Sequence, residues 1–522
     1  MDALQAEVMS EPTTRRGEHC VLLGLLIVAA FVVSHNLSPL YTSNQNTKFV
    51  IGMARAHAGA LSEDYLAHTT DPFPLFTEIV YFTQAHLTPA MYYLYAAVLM
   101  GLYVYGMFGI ARHVLPRFDQ AARWAFAALL ILAHAVILRI PIRDATGRDI
   151  MGLVQDGWAS QYILGPIFQP SMFGVLLLCA MRWFLEKRWL PCVLGIAIAA
   201  AMHPSYVLIS VMLTIALTVS LLLQRRWGVA AFVLIASLAM ILPLAIHLKH
   251  AFAPTTPQTY QAAQKILAEE RIPHHMVIQR FFKGMAVTQV VWVLAAIVLA
   301  RRSRLMLPLA IVFGLAMALT LIAGVGSGMV STHVREIQPW RATAWAIPVS
   351  TAVVLASVAY GLSRIAAGRT WLTYASIVTI AICAAGGAAM QVWQFRLEKQ
   401  QPDWGLMEYV HATHKPGELY VVPVHANDLT ASMEFRLHTE AATYATFKSH
   451  PNKDIELLQW WDRYGKAQDF YDAKGPAARD AALNVLLAEH PTHIVTPTDE
   501  PLDRPGIERV WGDANYTLYH IK

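Results

Sequence analysis

The sequence predicts an α-helical polytopic membrane protein of about eleven transmembrane helices with a C-terminal extracytoplasmic α/β domain. Three observations predict this fold class. Hydrophobic residues make up 56% of the 522 residues and charged residues only 14%, whereas soluble chains carry about 25% charged residues. The basic residues cluster in alternate links between apolar runs, and the composition becomes polar after about residue 396.

The apolar runs are long enough to cross a bilayer. A membrane-spanning helix needs about 20 mostly apolar residues. On that rule we place spans at roughly 19–37, 89–111, 122–140, 169–185, 189–203, 205–223, 228–247, 284–300, 305–323, 342–362 and 370–393. The first run lacks a small-residue cleavage pattern, so we expect a retained helix.

The basic links orient these spans. They are Arg15-Arg16, 112–123, Lys187-Arg188, Arg225-Arg226, 301–304 and 364–369. Cytoplasmic loops hold the Lys/Arg excess, so we expect a cytoplasmic N-terminus. An odd number of spans then places the C-terminus outside, in the periplasm. The net charge of +5 is explained by these links and does not indicate nucleic-acid binding.

Two domains are predicted. Residues 1–395 form the membrane domain, with a long first periplasmic loop at 36–88. Residues 396–522 alternate strand-like runs, such as those at 419–422, 493–495 and 516–519, with helical patterns at 454–464 and 477–489. This alternation predicts a small α/β domain, and about 120 residues can form their own core.

The first outside loop carries amides and two aspartates. It opens with Asn44, Gln45 and Asn46, and residues 47–61 have the pattern of an amphipathic interfacial helix. Asp64 and Asp71 follow. Each is equally well explained as a helix or turn cap, because Asp before Pro commonly opens a turn, or as a catalytic base or metal ligand.

The second and third outside segments each have two interpretations. Arg139, Arg143 and Arg148 alternate with aspartates, which fits a salt-bridged solvated face or an anion-binding face. His203 precedes Pro204 at a predicted membrane edge. A polar residue at this depth is a site candidate, and a helix-ending turn is the alternative.

The fourth and fifth outside loops add histidines and arginines. Arg271 is followed by the pair His274-His275, and histidine can bind metal or shuttle protons near neutral pH. A metal would need a third ligand, which Asp64 or Asp71 could supply. Arg335 and Arg341 are candidates for lipid-phosphate contact, with interfacial anchoring beside Trp340 as the alternative.

Soluble-enzyme motifs are missing from the sequence. It contains no Walker loop, dinucleotide fingerprint, Gly-x-Ser-x-Gly elbow or zinc-protease pair. ATP-driven chemistry within this chain is therefore not predicted.

The layout resembles the GT-C superfamily of integral-membrane glycosyltransferases. The segment 43–49, then Gly59 and Glu63-Asp64, has the layout of the first-loop motif of that family. The set of motifs is similar to a largely uncharacterised bacterial branch of GT-C-like proteins. Besides Asn44–Asn46 the set includes Thr70–Pro74, His203-Pro204, Arg271–His275, Phe435-Arg436 and Trp460–Arg463. The chain departs where the family has acids, because Asn44, Gln45 and Asn46 stand there and an amide cannot act as a general base.

The resemblance implies transfer of a sugar from a polyprenyl-phosphate carrier to an extracytoplasmic glycan, lipid or protein at the bacterial inner membrane. It implies that Arg271, Arg335 and Arg341 hold the donor phosphate and that Asp64 or Asp71 acts on the acceptor hydroxyl. It implies a site lined by Asn44, Gln45, Asn46, His203, His274 and His275. No cofactor is established; a divalent metal is the one candidate.

Two other function classes stay open. One is a transporter or flippase for a lipid-linked or anionic solute, although the sequence shows neither a clear repeat nor a mid-span acid. The other is a non-catalytic scaffold of a cell-envelope assembly complex, with the outside domain as its docking module. The missing acids at 44–46 keep the scaffold hypothesis open.

Overall fold

The computed structural model describes residues 13–115, 118–325, 334–335, 337–365, 369–424 and 429–522. In this part of the chain the predicted fold class is confirmed: apolar helices form a multi-pass membrane region, and a small sheet with helices follows at the C-terminus.

Among the residues that the structure describes, six helices are long and apolar enough to cross a membrane by length and composition. They are Met91–Val114, Ser205–Leu223, Trp227–Ala251, Met306–Gly324, Pro339–Ile365 and Thr370–Glu398. Gln120–His134 and Val136–Thr146, bent by 42°, would form a seventh span together.

Shorter apolar helices account for the other predicted spans. These are Val21–His35, the apolar part of the helix Thr13–His35, with Pro170–Leu185, Trp189–Met202 and Gly284–Leu299. Trp189–Met202 has 14 residues, which corresponds to about 21 Å of helix against a hydrocarbon core of about 30 Å. The total of about eleven spans therefore stays a prediction.

The first long loop, which the sequence predicts to lie outside, differs from the predicted interfacial helix. Helices Gln45–Lys48 and Val50–Arg55 replace one continuous helix over 47–61, and Val50 is completely buried. The backbone turns at His57 and Gly59, which have φ of 57° and 49°. The prediction is wrong because an apolar stripe packs against protein as readily as against lipid. Short 3-10 helices Leu61–Glu63 and Tyr65–His68 and the helix Pro74–His86 complete the loop.

The other outside loops also contain short helices. In the second loop these are Gly152–Gln155, Trp158–Ser160 and Pro170–Gly174, the last leading into Val175–Leu185. In the fourth loop they are Pro257–Lys265, the π-helix Ile266–Arg271, Pro273–Met276 and Ile278–Phe281. A 3-10 turn, Pro339–Ala342, opens the helix Thr343–Ile365, and Arg369–Glu398 follows.

The C-terminal region folds around a five-stranded mixed sheet. The strands are β1 Leu419–Val421, β2 Ala442–Thr443, β3 His493–Pro497, β4 Ile507–Gly512 and β5 Tyr516–Ile521. Their order is β2-β1-β3-β5-β4; β1 is parallel to β2 and β3, while β5 is antiparallel to β3 and β4. Helices Trp404–Thr413, Leu429–Thr439, Asp454–Asp472 and Pro476–Leu487 flank it.

The fourth of these loops is hydrogen bonded to the C-terminal region and packs against it. The Asp454 carboxylate accepts hydrogen bonds from Thr255 N at 2.7 Å, Thr255 Oγ1 at 2.8 Å and Thr259 Oγ1 at 2.9 Å. Ala263 is buried in the same apolar cluster as Leu457 and Trp460. We call residues 255–271 the arm. The arm begins at Thr255, which contacts the helix Asp454–Asp472, and ends at Arg271.

Candidate functional site

A cavity of about 710 Å³ lies where the outside loops meet the C-terminal region. Its lining comes from segments that are far apart in sequence. These are Asn44, Lys48 and Phe73; Gln161, Tyr162 and Gln169; His203 and Ser205; Leu248 and Phe252; Arg271, His274 and His275; Ile337 and Arg341; and Lys448, His450 and Asn452.

Positive charge dominates this cavity. The side chains of Lys48, Arg271, Arg341 and Lys448 line it, and we call them the cationic cluster. Its lining, drawn from the described residues, includes no aspartate or glutamate. Like charges gathered without counter-charges raise the local potential, which an anion relieves on binding.

Arg271 ends the π-helix Ile266–Arg271 and contacts the C-terminal region. The residue is only 9% exposed; its Nη2 donates to Lys448 O at 2.7 Å, and its guanidinium lies 5.0 Å from the Phe447 ring centre. Its Nε is buried with no hydrogen-bond partner in the described part of the chain. Burial lowers the pKa of Arg271 to about 10, so the group stays charged at neutral pH.

Arg341 lies just before the long apolar helix Thr343–Ile365, and its side chain lines the cavity. Its Nη1 donates to Ser205 Oγ, and its Nε is buried with no partner among the described residues. The neighbouring Trp340 is fully buried and donates from Nε1 to His275 O at 3.1 Å. Trp340 therefore packs inside the protein, and Arg341 faces the cavity.

Lys48 lies between Phe73 and the other cations. Its Nζ is 4.1 Å from the Phe73 ring centre. Burial, and then the charges of Arg341 and Arg271, lower the pKa of Lys48 to about 7. Lys48 therefore gains or loses its charge near neutral pH, depending on what occupies the cavity.

The histidines of the cavity are neutral hydrogen-bonding groups. Burial, followed by the charge of Arg341, holds the pKa of His203 well below its usual range. Burial, followed by the proximity of His274 and then Arg341, lowers the pKa of His275 to about 3. Burial, followed by the charge of Arg271, lowers the pKa of His450 to about 3. His203 Nδ1 accepts from Ser205 N at 3.1 Å, so in the neutral ring Nε2 carries the proton.

Only one residue of the Asn-Gln-Asn motif lines the cavity. Asn44 Nδ2 donates to Gln169 Oε1 at 3.1 Å. Gln45 is buried and bridges Phe168 O and Tyr41 N at 3.0 and 2.6 Å. Asn46 is also buried, and its Nδ2 donates to Tyr41 O. Gln45 and Asn46 therefore shape the loop, while Asn44 faces the site.

Asp64 lies outside the cavity, in a joint with the C-terminal region. Its carboxylate is completely buried, pairs with Arg436 Nε at 2.7 Å, and accepts from Thr443 N and Leu66 N, both at 2.9 Å. Its hydrogen-bonding capacity is largely used by these partners, so it has a positioning role in this structure.

Gly59 and Glu63 belong to the same joint. Ala60 N donates to Glu440 O at 2.8 Å, and a Cβ on Gly59 would lie 2.5 Å from that oxygen. Glu63 Oε2 accepts from Gly417 N at 2.6 Å. The glycine and acids of the first-loop motif thus connect the loop to the C-terminal region.

Asp71 borders the cavity. It lines a small pocket of about 20 Å³ that shares Lys48, Phe73 and His450 with the larger cavity. Its Oδ1 accepts from Phe73 N at 2.7 Å, which is the turn cap expected of Asp before Pro. This bond uses one carboxylate oxygen, and the charge of Asp71 acts to raise the pKa of Lys48.

The remaining outside arginines lie elsewhere. Arg335 lines a separate pocket of about 100 Å³ and donates to Ala323 O at 2.9 Å. Residues 326–333 and 336 of its loop lie outside the described residues. Arg139 pairs with Asp149 at 2.5 Å and Asp156 at 3.5 Å, as the salt-bridge interpretation of the second loop predicts.

Sequence reasoning missed several lining residues. Lys448 and His450 lie in the C-terminal region, 177 residues from Arg271 in the case of Lys448, and no local motif marks them. Lys48 was assigned only to an interfacial helix. Its position as a charged residue directly before the apolar run Phe49–Ile51 is the sequence feature that could have singled it out, and the structure buries Phe49 and Val50 completely.

The donor set does not fit a metal ion. Among the residues that the structure describes, no group of at least three His, Cys, Asp or Glu side chains is placed to hold one. The rings of His274 and His275 are 4.0 Å apart, but Asp64 is occupied by Arg436. Any chemistry in this cavity would therefore be carried out by the side chains that line and border it.

Part of the chain matches a protein-family model, and the chain as a whole is similar to a solved structure. A family model described as a domain of unknown function (DUF6798) matches residues 403–467, which include Lys448 and His450. No curated protein matches the chain. The chain is similar to the crystal structure of ArnT from Cupriavidus metallidurans bound to undecaprenyl phosphate, at 13% identity and TM-score 0.43, over 97% of this chain and 98% of that one. At this TM-score we draw no conclusion from the similarity.

Proposed function

We propose that the chain is a membrane glycosyltransferase of the GT-C type that takes a sugar from a polyprenyl-phosphate carrier. The observation that carries the proposal is the cationic cluster: Lys48, Arg271, Arg341 and Lys448 line one cavity with no lining carboxylate among the described residues. The proposal places this cavity on the periplasmic face of the bacterial inner membrane, where the basic links orient the outside loops.

The cluster suits a phosphate group. Guanidinium groups bind phosphate oxygens through charge-assisted hydrogen bonds. Arg271 and Arg341 each have a buried Nε without a hydrogen-bond partner among the described residues. A buried donor left unpaired is costly, so an anion that accepts from both arginines would be stabilised there.

Apolar residues in the same cavity favour a lipid carrier over a soluble phosphate. Leu248 and Phe252 lie at the end of the membrane-spanning candidate Trp227–Ala251, and Ile337 is 50% exposed. Charged and apolar lining side by side at a helix end matches a ligand with a phosphate head and a hydrocarbon tail.

The proposed transfer breaks the bond between the sugar carbon and the phosphate oxygen and forms one to the acceptor hydroxyl. The leaving polyprenyl phosphate gains negative charge, which Arg271, Arg341 and Lys48 stabilise. The hydroxyl proton passes to Asp71, the carboxylate that borders the cavity. Asp64 takes no part in this step, because Arg436 and two backbone N–H groups occupy it.

A second candidate function is non-catalytic binding of the same lipid phosphate within a cell-envelope complex. It is favoured by one observation: no carboxylate lines the cavity itself among the described residues. The two candidates share the ligand and differ in whether sugar leaves the carrier.

The Asp71→Asn variant distinguishes the glycosyltransferase from the non-catalytic binder. The full-length protein in its host membranes, which supply the acceptor, would be given a polyprenyl-phosphate hexose with a labelled sugar. We expect wild type to release polyprenyl phosphate and Asp71→Asn to do so ~100-fold more slowly with carrier binding retained. Asp144→Asn, in an exposed ion pair with Arg143, is the matched control. Binding without release by wild type would support the second candidate, and full turnover by Asp71→Asn would remove Asp71 from the mechanism.

A further inference from the structure

Neutral polar side chains line the cavity beside the cationic cluster. Asn44, Gln161, Tyr162 and Gln169 contribute amide and phenol groups, and we call them the amide wall. They are fixed to one another and to the backbone. Asn44 donates to Gln169, Gln169 Nε2 donates to the Tyr162 hydroxyl at 3.0 Å, and Gln161 Nε2 donates to Ala159 O at 3.3 Å.

The amide wall keeps hydrogen-bonding capacity toward the cavity. Asn44 uses its Nδ2 on Gln169, and in the described part of the chain no hydrogen bond reaches its Oδ1, which is an acceptor. The Tyr162 oxygen accepts from Gln169, so its own O–H is left to donate. Burial raises the pKa of Tyr162, and the phenol therefore stays protonated. Fixed donors and acceptors side by side match the hydroxyl groups of a sugar, each of which both donates and accepts.

The positive charge of the cationic cluster restricts which sugars the cavity can bind. An ammonium group on the sugar would lie in a cavity that already holds Lys48, Arg271, Arg341 and Lys448. No lining carboxylate among the described residues is present to pair with it, and Asp71, in the adjoining pocket, already accepts from Phe73 N and acts on the charge of Lys48. Like charges at close range in a partly buried site repel strongly, and a desolvated ammonium without a partner is costly.

We infer that the carried sugar is a hydroxyl-rich sugar without a free amino group, recognised by the amide wall, and that the cationic cluster rejects amino sugars. This inference rests on the proposed function, because it assigns the sugar on the proposed carrier. Asn44, in the position where the GT-C pattern has acids, then serves as a neutral sugar-binding group.

Two donors of nearly equal shape test the inference. Polyprenyl-phosphate glucose and polyprenyl-phosphate glucosamine differ by a hydroxyl replaced with an ammonium group. Their affinities for the full-length protein in lipid nanodiscs would be measured by displacement of labelled polyprenyl phosphate at pH 6.5. We expect the glucosamine donor to bind at least ~10-fold more weakly than the glucose donor.

Asn44→Asp provides a matched gain-of-function variant. The new carboxylate can accept from Gln169 Nε2 if that amide turns over, and the Tyr162 O–H can then donate to Gln169 Oε1. We expect the preference for the glucose donor to shrink ~10-fold in this variant. Gln45→Glu, buried away from the cavity, should leave the ratio unchanged in any protein that still folds and binds polyprenyl phosphate.

The outcomes are distinguishable. Equal or tighter binding of the glucosamine donor by wild type would overturn the inference while leaving the proposed carrier intact. Failure of labelled polyprenyl phosphate itself to bind would overturn the proposed function, and this inference with it.

Discussion

Asp64 and Asp71 look alike in the sequence and differ in the structure. Both follow the first helices of the same loop, and both cap a backbone N–H two residues on. Asp64 is additionally paired with Arg436 in a completely buried joint, whereas Asp71 borders the cavity next to Lys48. Burial and partners, which depend on distant residues, separate a positioning carboxylate from a candidate base.

Asp64→Asn should destabilise the protein. The substitution leaves Arg436 as a buried charge without its counter-ion, which typically costs ~3–5 kcal/mol of unfolding free energy. The measurement is equilibrium unfolding in detergent. Glu78→Gln is the control, because the Arg55–Glu78 pair is 46% and 52% exposed and should contribute less than ~1 kcal/mol. A fully stable Asp64→Asn protein that has lost transfer activity would contradict this assignment.

Lys48 should make anion binding depend on pH. The pKa of Lys48 is lowered to about 7 by burial and by Arg341 and Arg271, and a bound phosphate raises it, so binding takes up a proton. Affinity for polyprenyl phosphate should therefore be full below pH ~7 and fall by up to ~10-fold per pH unit above it. Displacement assays at pH 6.5 and 8.5 measure this.

Lys48→Arg is the control for this dependence. Arginine stays charged throughout this range, so the fall in affinity with pH should flatten. The titration of the ligand phosphate is common to both proteins and cancels in the comparison. Equal slopes for wild type and Lys48→Arg would show that Lys48 does not titrate with the bound anion.

The arm is the element that couples the C-terminal region to the cavity. Residues 255–271 begin on the Asp454 carboxylate and end at Arg271, through the π-helix Ile266–Arg271. π-Helices are rare and often occur at functional sites. Arg271 then contacts Lys448 O, so the arm meets the C-terminal region at both ends.

Asp454→Ala should weaken the binding of polyprenyl phosphate, although Asp454 does not line the cavity. The variant removes the acceptor of the hydrogen bonds from Thr255 and Thr259, which frees the start of the arm. We expect ~10-fold weaker polyprenyl-phosphate binding and faster amide exchange across 255–271. Asp513→Ala, which removes a carboxylate bonded to Asn515 N and Tyr516 N, is the matched control. Equal effects of the two variants would refute coupling through the arm.

At the scale of the whole molecule, the fold class was predictable because it depends on local composition. Apolar runs and the polar C-terminal segment correspond to the helices and the sheet of the structure. The strand Ile507–Gly512 was not predicted, since three of its six residues are exposed, none is buried, and its sequence lacks a clear apolar alternation.

The candidate site was predictable only where unusual residues cluster in sequence. Asn44, His203, Arg271 and Arg341 were selected from their motifs and line one cavity. The sequence could not show that Lys448 joins them, because that contact depends on how the C-terminal region docks. The sequence also could not distinguish Arg335 from Arg341. The two arginines lie in the same loop, but the Arg335 side chain lines another pocket.

Binding of polyprenyl phosphate is the most direct measurement of the central claim. The full-length protein in lipid nanodiscs would be titrated with labelled polyprenyl phosphate, alongside Arg271→Gln, Arg341→Gln and Arg335→Gln. We expect saturable binding by wild type, ~10–100-fold losses for the first two variants and none for Arg335→Gln. No binding by wild type, or an equal loss in Arg335→Gln, would contradict the assignment of the cationic cluster as the phosphate site.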